Sequence, residues 1–208
     1  MIGTHNRKYF VLTGIIIFII LILVIFVYII MPRGKPIALI KEDAFYGKLK
    51  NGDIICRLGD RLWSQIFKDF SIDDKRFSHT GIIRINNDRI TVIHAEGTTK
   101  PGKDFVKEET LDDFLKVARA IGIYRIMDLD GNKISDMAIE YIGVSFDWKF
   151  DMSDTSELYC TELLYTIVKR LSPEFEFSTT YVKEIGKDII TIDSISNSDY
   201  FSEMYFIK

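Results

Sequence analysis

The chain has 208 residues, a formal net charge of −3 and 47% hydrophobic residues. That length fits one domain of ordinary size plus a short appendage. Lys and Arg are interspersed with Asp and Glu, with no basic stripe, so nucleic acid is not an expected partner. The two cysteines, Cys56 and Cys160, are too few for a disulfide framework and form no CxxC pair of the kind that holds zinc.

From Tyr9 to Met31 there is no charged residue. The run is about as long as a helix needs to cross a bilayer core, roughly 20 residues. Tyr9 and Tyr28 stand near its ends, as interfacial aromatics do, and Pro32 follows. A cleaved signal peptide would have a shorter apolar region and small residues at its end, whereas Tyr28-Ile29-Ile30-Met31 is bulky. Residues 1–32 therefore read as an uncleaved membrane anchor. His5, Arg7 and Lys8 precede the run and Arg33, Lys35 and Lys41 follow it, so charge alone does not orient it.

Residues 33–49 read as a linker and 50–208 as the domain. Lys50-Asn51-Gly52-Asp53 is a turn signal. Asp53 to Leu58 is a predicted strand, and Arg61 to Phe70 a helix with Leu62, Ile66 and Phe70 on one face. His79 to Ile85 and Arg89 to Ala95 are two β-rich runs around Asn86-Asn87-Asp88, a hairpin signature. Thr110 to Val117 is a predicted short helix capped by Thr110, with Asp112 and Asp113 in its first turn. Ala118 to Met127 is another strand. Past the Asp130-Gly131-Asn132 turn, Ile134, Met137, Ala138, Tyr141 and Ile142 share a helical face. Tyr159 to Arg170 is the clearest helix: Cys160, Leu163, Leu164, Ile167, Val168 and Leu171 form one continuous stripe, stopped by Ser172-Pro173. Short strands are expected near Ile189 to Ile192 and Met204 to Ile207. Strands grouped around a hairpin with helices on either side give an α+β class.

The domain holds two histidines, His79 and His94. A two-residue loop at Asn87-Asp88 pairs Ile83 with Val92, Ile85 with Ile90 and Gly81 with His94. His79 and His94 then become diagonal neighbours on one face. A three-residue loop would part them. Cys160, at the start of the strongest amphipathic helix, sees the positive end of the helix dipole, an environment that favours a thiolate. A nearby imidazole would complete its activation. Each of these residues also admits a plain structural reading, as a partly buried histidine or a cysteine capping a core stripe. His94 is the natural third group to orient the base. Glu96 is the alternative, expected on the opposite face of the strand. Asp147 and Asp151, in the loop Phe146-Asp147-Trp148-Lys149-Phe150-Asp151, are candidates to shape a cleft, although such loops often serve aromatic packing alone. Cys56, beside Ile54 and Ile55, reads as a small buried hydrophobe. No Gly-rich phosphate loop occurs, and two histidines without HExxH spacing do not suggest a metal. No cofactor is expected.

Gly52-Asp53-Ile54-Ile55, Ser78-His79-Thr80-Gly81-Ile82, Ile93-His94-Ala95 and Leu158-Tyr159-Cys160-Thr161-Glu162-Leu163, in this order, resemble the YiiX/YebB-like group. These are circularly permuted relatives of the NlpC-type papain-fold cysteine hydrolases. The resemblance covers about Lys50 to Ser198 and includes the aromatic-Asp loop and the tail Ile190-Thr191-Ile192-Asp193-Ser194-Ile195, where Ile192 stands in place of a common proline. It implies a papain-like α+β fold, an antiparallel sheet packed against helices. It implies Cys160 as nucleophile, His79 as base and a polar third residue at His94, a position where related groups also carry glutamate. Backbone N–H groups at the start of the cysteine helix, from Tyr159 on, would receive the oxyanion. Members act on amide bonds of cell-wall peptides or on acyl groups of lipids, many of them outside the cytoplasm. The implied protein is a membrane-anchored cysteine hydrolase with its domain on the extracytoplasmic side, acting on a peptide or acyl-bearing substrate of the cell envelope: amide bonds in cell-wall (peptidoglycan) peptides first, with a lipid-directed acyl hydrolase or acyltransferase on the same residues as the alternative. A catalytically silent binding domain of the same fold is the remaining alternative.

Overall fold

The computed structural model describes residues 4–30, 43–98 and 102–208. Helix α1 (Thr4–Ile30) contains the window Val11–Tyr28, which is long and apolar enough to cross a membrane. Its apolar side chains from Val11 to Tyr28 are exposed. After α2 (Asp43–Tyr46) come β1 (Ile54–Gly59), α3 (Leu62–Phe70), β2 (His79–Asn86), β3 (Arg89–Glu96), β4 (Phe105–Thr110), α4 (Leu111–Leu115) and β5 (Ala118–Ile126). They are followed by α5 (Gly131–Ile139), α6 (Cys160–Leu171), β6 (Thr180–Val182), β7 (Lys187–Ile189), α7 (Asp193–Ser196) and β8 (Phe201–Ile207). Six strands form an antiparallel sheet in the order β4-β3-β2-β1-β5-β8, and β6 and β7 form a separate ribbon.

The hairpin register is the one a two-residue loop dictates, with Ile83 opposite Val92, Ile85 opposite Ile90 and Asn86 opposite Arg89. Asn87 and Asp88 carry φ of 45° and 64°. Two successive left-handed residues make the turn whose twist suits a tight hairpin.

Alternation along the strands divides the core into two layers. Ile54, Cys56, Ile82, Ile93 and Ala95 face a large cluster built with Ile134 and Ala138 of α5 and Leu163, Leu164 and Ile167 of α6. Their neighbours Ile55, Ile83 and Val92 face a smaller cluster with Phe45, Leu111, Phe114 and Leu115.

Three expectations change, and one strand is new. The linker cannot extend to residue 49: Phe45 is 1% exposed and packs on Tyr205 of β8, so the domain includes α2. The helix capped by Thr110 stops at Leu115, because Ala118 is already in β5. β4 was not anticipated, since Lys107, Glu108 and Glu109 make it read as a charged loop. The stretch Ile189 to Ile192 is mostly not a strand: only Ile189 belongs to β7, and Ile190 and Ile192 pack as core.

Two predicted turns lie back to back. Gly52 has φ of 74°, and a Cβ there would come 2.3 Å from the Gly131 carbonyl oxygen. Gly143, at φ of 94°, has open space around it. Gly52→Ala is therefore expected to destabilise the fold by roughly 3 kcal/mol, strain plus overpacking, and Gly143→Ala by about 1 kcal/mol. Urea unfolding followed by tryptophan fluorescence measures both; equal losses would contradict the close contact.

Candidate active site

Cys160 is the first residue of α6, and helix residues behind it anchor it to the large cluster. His79 is the first residue of β2, on the opposite face of the sheet. The strand end is therefore where a group from one layer can meet a group from the other. Both side chains are partly exposed and line one cavity of about 580 Å³.

The two histidines meet as the register requires. His79 Nε2 lies 2.7 Å from His94 Nδ1, with the rings edge to face. His94 is fully buried, and its Nε2 lies 3.1 Å from Glu109 Oε1 on β4, in an oblique contact rather than a straight hydrogen bond. Phe114 of α4 stacks on His79 and meets His94 edge-on. Glu96 is on the same face as His94, not the opposite one, because residues two apart along a strand share a face. It accepts a hydrogen bond from Arg57 Nη2 at 2.9 Å.

Arg57, on β1, is the buried charge at the centre. Its Nη1 donates to the Phe114 carbonyl at 2.7 Å and lies 3.8 Å from Glu109, and its guanidinium sits 4.0 Å from the centroid of the Phe114 ring. Lys107 reaches Glu96 at 2.5 Å and Glu109 at 3.0 Å. Two cations and two anions thus alternate around a closed ring. Sequence reading missed Arg57, Lys107 and Glu109; the signal available was the two-residue spacing of Lys107 and Glu109, which puts both on one face of a strand.

The electrostatics favour neutral groups. Burial, then the charge of Arg57, holds His79 well below its usual range, and burial likewise lowers His94 against the pull of Glu109. Burial raises the Glu109 carboxyl, but His94 and Lys107 outweigh it and bring it to about 2. Burial pushes the Cys160 thiol up to about 11, against backbone N–H groups of Thr80, Thr161 and Cys160 and the charge of Arg57. Both shifts run against the thiolate–imidazolium pair that the helix dipole favours. The hydrogen bond drawn for the His79 ring runs to His94, not to the sulfur. Such contacts often tighten only when substrate closes on a site.

Tyr159 lines the cavity, and its hydroxyl accepts from the Ile190 N–H at 3.0 Å, which ties the wall opposite α6 in place. Asp147 is buried and accepts from the Lys149 N–H at 2.7 Å. It holds the aromatic loop and does not itself line the cavity, whereas its neighbours Phe146, Trp148 and Phe150 do. Asp151 is turned to Ser153 and Lys187. Glu162 caps the Tyr159 N–H at 3.3 Å; burial raises its carboxyl to about 8, with Asp147, Asp151 and Asp154 adding to the shift. Cys56 is buried, as expected, with its thiol raised to about 12.

His79, His94 and Glu96 bring three ligand atoms within 4.8 Å of one another, close enough to invite a metal. The donor set does not fit one. Arg57 and Lys107 already take both Glu96 oxygens. The imidazole nitrogens, 2.7 Å apart, are closer than two ligands of a tetrahedral ion, about 3.3 Å for bonds of about 2.0–2.1 Å.

A cysteine at a helix N-terminus, a histidine on an antiparallel strand beside it and a polar third group on the next strand, with the histidine preceding the cysteine in the chain, define a permuted papain-like hydrolase. Residues 48–190 match the family described as permuted papain-like amidase enzymes, YaeF/YiiX, C92 family, and the chain belongs to it. The family is one of cysteine-type amide hydrolases. Five solved chains match. Among them, metalloprotein yiiX from Escherichia coli O157:H7 shares the fold at a TM-score of 0.61 and 16% identity, over 75% of this chain and 96% of that one. A comparison with curated proteins found no match.

If the site rests as thiol and neutral imidazole, alkylation of Cys160 by iodoacetamide should keep accelerating as pH rises above 8, toward its raised pKa. Following the Cys160 peptide by mass separates it from Cys56. A plateau already reached near pH 6 would show an ion pair instead.

Proposed function

We propose that this protein is a membrane-anchored cysteine amidase of the cell envelope, with Cys160 as nucleophile, His79 as base and His94 as the residue that orients the base. The observation that supports this reading is the His79–His94–Glu109 line, along which we assign the protons. Ionised Glu109 can only accept, so His94 carries its proton on Nε2. His94 Nδ1 is then an acceptor, and His79 donates to it through Nε2–H. Neutral His79 is left with a bare Nδ1, the atom free to take a proton from Cys160.

As the sulfur attacks an amide carbonyl, the thiol proton passes to His79 Nδ1 and the carbonyl oxygen becomes an oxyanion. Backbone N–H groups at the start of α6 would receive that charge. When the C–N bond breaks, His79 returns the proton to the departing amine and leaves a thioester on Cys160. Water, giving a proton to His79, attacks the thioester; the acid leaves and the proton returns to sulfur. Glu109 becomes a positioning residue, one shell further out than the triad read from sequence.

The anchor in residues 1–32 would hold the domain at the membrane, with the domain on the extracytoplasmic side. A stem peptide of the cell wall and an acylated amide of the membrane both offer the scissile bond.

Release of primary amines from isolated cell-envelope material tests the reading: wild type should release them and Cys160→Ala should not, with the fold retained by circular dichroism. Cleavage by the alanine variant would remove Cys160 from the mechanism. Glu109→Gln can donate to His94 Nε2 and reverse the proton order along the line. It should lower kcat by roughly 100-fold or more with KM little changed, as wrong-tautomer variants do. An unchanged kcat would detach Glu109 from the site.

A further inference from the structure

A second cavity, of about 260 Å³, shares no lining residue with the one beside Cys160. The turn after α2 supplies Lys48 and Lys50, β5 supplies Arg125, and β8 supplies Met204 and Tyr205. Lys48 and Lys50 are exposed, and neither ammonium group has a carboxylate partner among the described residues. Lys48 Nζ lies 6.0 Å from the centroid of the Tyr205 ring. Arg125 is fixed in the wall. Its Nε and Nη2 donate to the two oxygens of Asp53 at 2.7 and 2.8 Å, and Nη2 also donates to the Lys48 carbonyl at 3.2 Å. The next carboxylate along β8, Glu203, is taken by Arg76 and Tyr124. Three cations therefore meet one carboxylate here, in a chain whose net charge is −3.

Unmatched ammonium groups beside a fixed guanidinium suit an anion with several oxygens, such as a phosphate ester. Met204, 43% exposed, and Leu49 give the cavity an apolar side that a free ion would not use. The place in the chain is equally telling. α2 is the first described element after α1, and only residues 31–42 lie between Ile30 and Asp43. Fully extended, that span reaches roughly 45 Å. A tether of such length keeps the cavity close to the layer that the anchor would enter, where headgroups are concentrated.

Resting on the anchor reading above, we propose that this cavity docks the phosphate headgroup of an anionic phospholipid and so seats the α2–β8 corner of the domain on the bilayer. Lys48 and Lys50 hold the phosphate oxygens, Arg125 adds its charge from the wall, and Met204 meets the glycerol. The anchor limits how far the domain can stray, and this contact sets which side of it meets the membrane. The attraction is electrostatic, so it is weak for a zwitterionic surface and screened by salt.

The test places the full chain in vesicles of phosphatidylcholine, alone or mixed with phosphatidylglycerol, and acetylates lysines with acetic anhydride. Peptide masses compare Lys48 and Lys50 with Lys183, an exposed lysine in the turn between β6 and β7. Phosphatidylglycerol should slow labelling of Lys48 and Lys50 relative to Lys183 by about fivefold, the factor one basic group gains near an anionic surface. Phosphatidylcholine alone should not. Lys48→Glu should return Lys50 to the reactivity of Lys183, and Lys50→Glu should do the same for Lys48. Equal labelling of all three lysines in both vesicles overturns the docking. So does protection that survives the neighbouring substitution, which reports surface potential rather than a site. Equal protection by inorganic phosphate added to phosphatidylcholine vesicles overturns it in favour of a free anion. Flotation separates the two readings. A chain that floats with neither kind of vesicle overturns the anchor and the docking with it; a chain held in both, with Lys48 and Lys50 unprotected, overturns the docking alone.

Discussion

Burying an arginine without matching its charge costs several kcal/mol, and the way Arg57 is neutralised organises the rest of the site. Glu96 and Glu109 come from neighbouring strands, β3 and β4, and Lys107 closes the ring between them. Phe114 supplies a carbonyl and a ring face from α4. Strands β1, β3 and β4 and one short helix are thus fixed around a single guanidinium. The same ring lowers the Glu109 carboxyl, and an ionised Glu109 favours the His94 tautomer with its proton on Nε2. On the proposed mechanism, the orientation of the base is therefore an outcome of charge pairing two residues away from it.

Cys160 and His79, the proposed nucleophile and base, come from opposite faces of one sheet. α6 packs its Leu163, Leu164 and Ile167 stripe on the large layer, while the histidines and their carboxylate lie over the small one. They share a cavity only because each is the first residue of its element. This placement also explains the resting protonation. The helix start directs N–H groups at the sulfur, but burial raises the thiol more than those groups lower it. On the proposed mechanism, proton transfer is thereby deferred to the moment of attack.

Much of this was legible in the sequence. Period-2 and period-3.6 patterns marked β1 to β3, β5, α3, α5 and α6 to within a few residues, and the meeting of His79 with His94 depends on a two-residue turn, the one of the two turn lengths that the structure adopts. The family resemblance, carried by the S-H-T-G and Y-C-T-E-L elements, pointed to the permuted papain-like fold. β4 escaped because tertiary partners overrode propensity: its charged residues look solvated until Arg57 and His94 are placed opposite them. Glu96 lies on the His94 face because strand alternation returns every second residue to one side. The ionisation of Cys160 was beyond reach, since a helix dipole is visible in sequence and the dryness of a cavity assembled from α3, a loop and the β7 end is not.

The tip of the β2–β3 hairpin lies at the end of the ladder farthest from the site, in a position where chains commonly tolerate extra residues. Here its length has the standing of a site residue. One added residue would turn His94 to the other layer, into a space filled by Ile82, Ile93 and Ala95, and leave Glu109 and Arg57 facing a side chain of the wrong chemistry. The number of residues between the two histidines thus sets whether their rings can meet, although the loop that supplies those residues lies far from both.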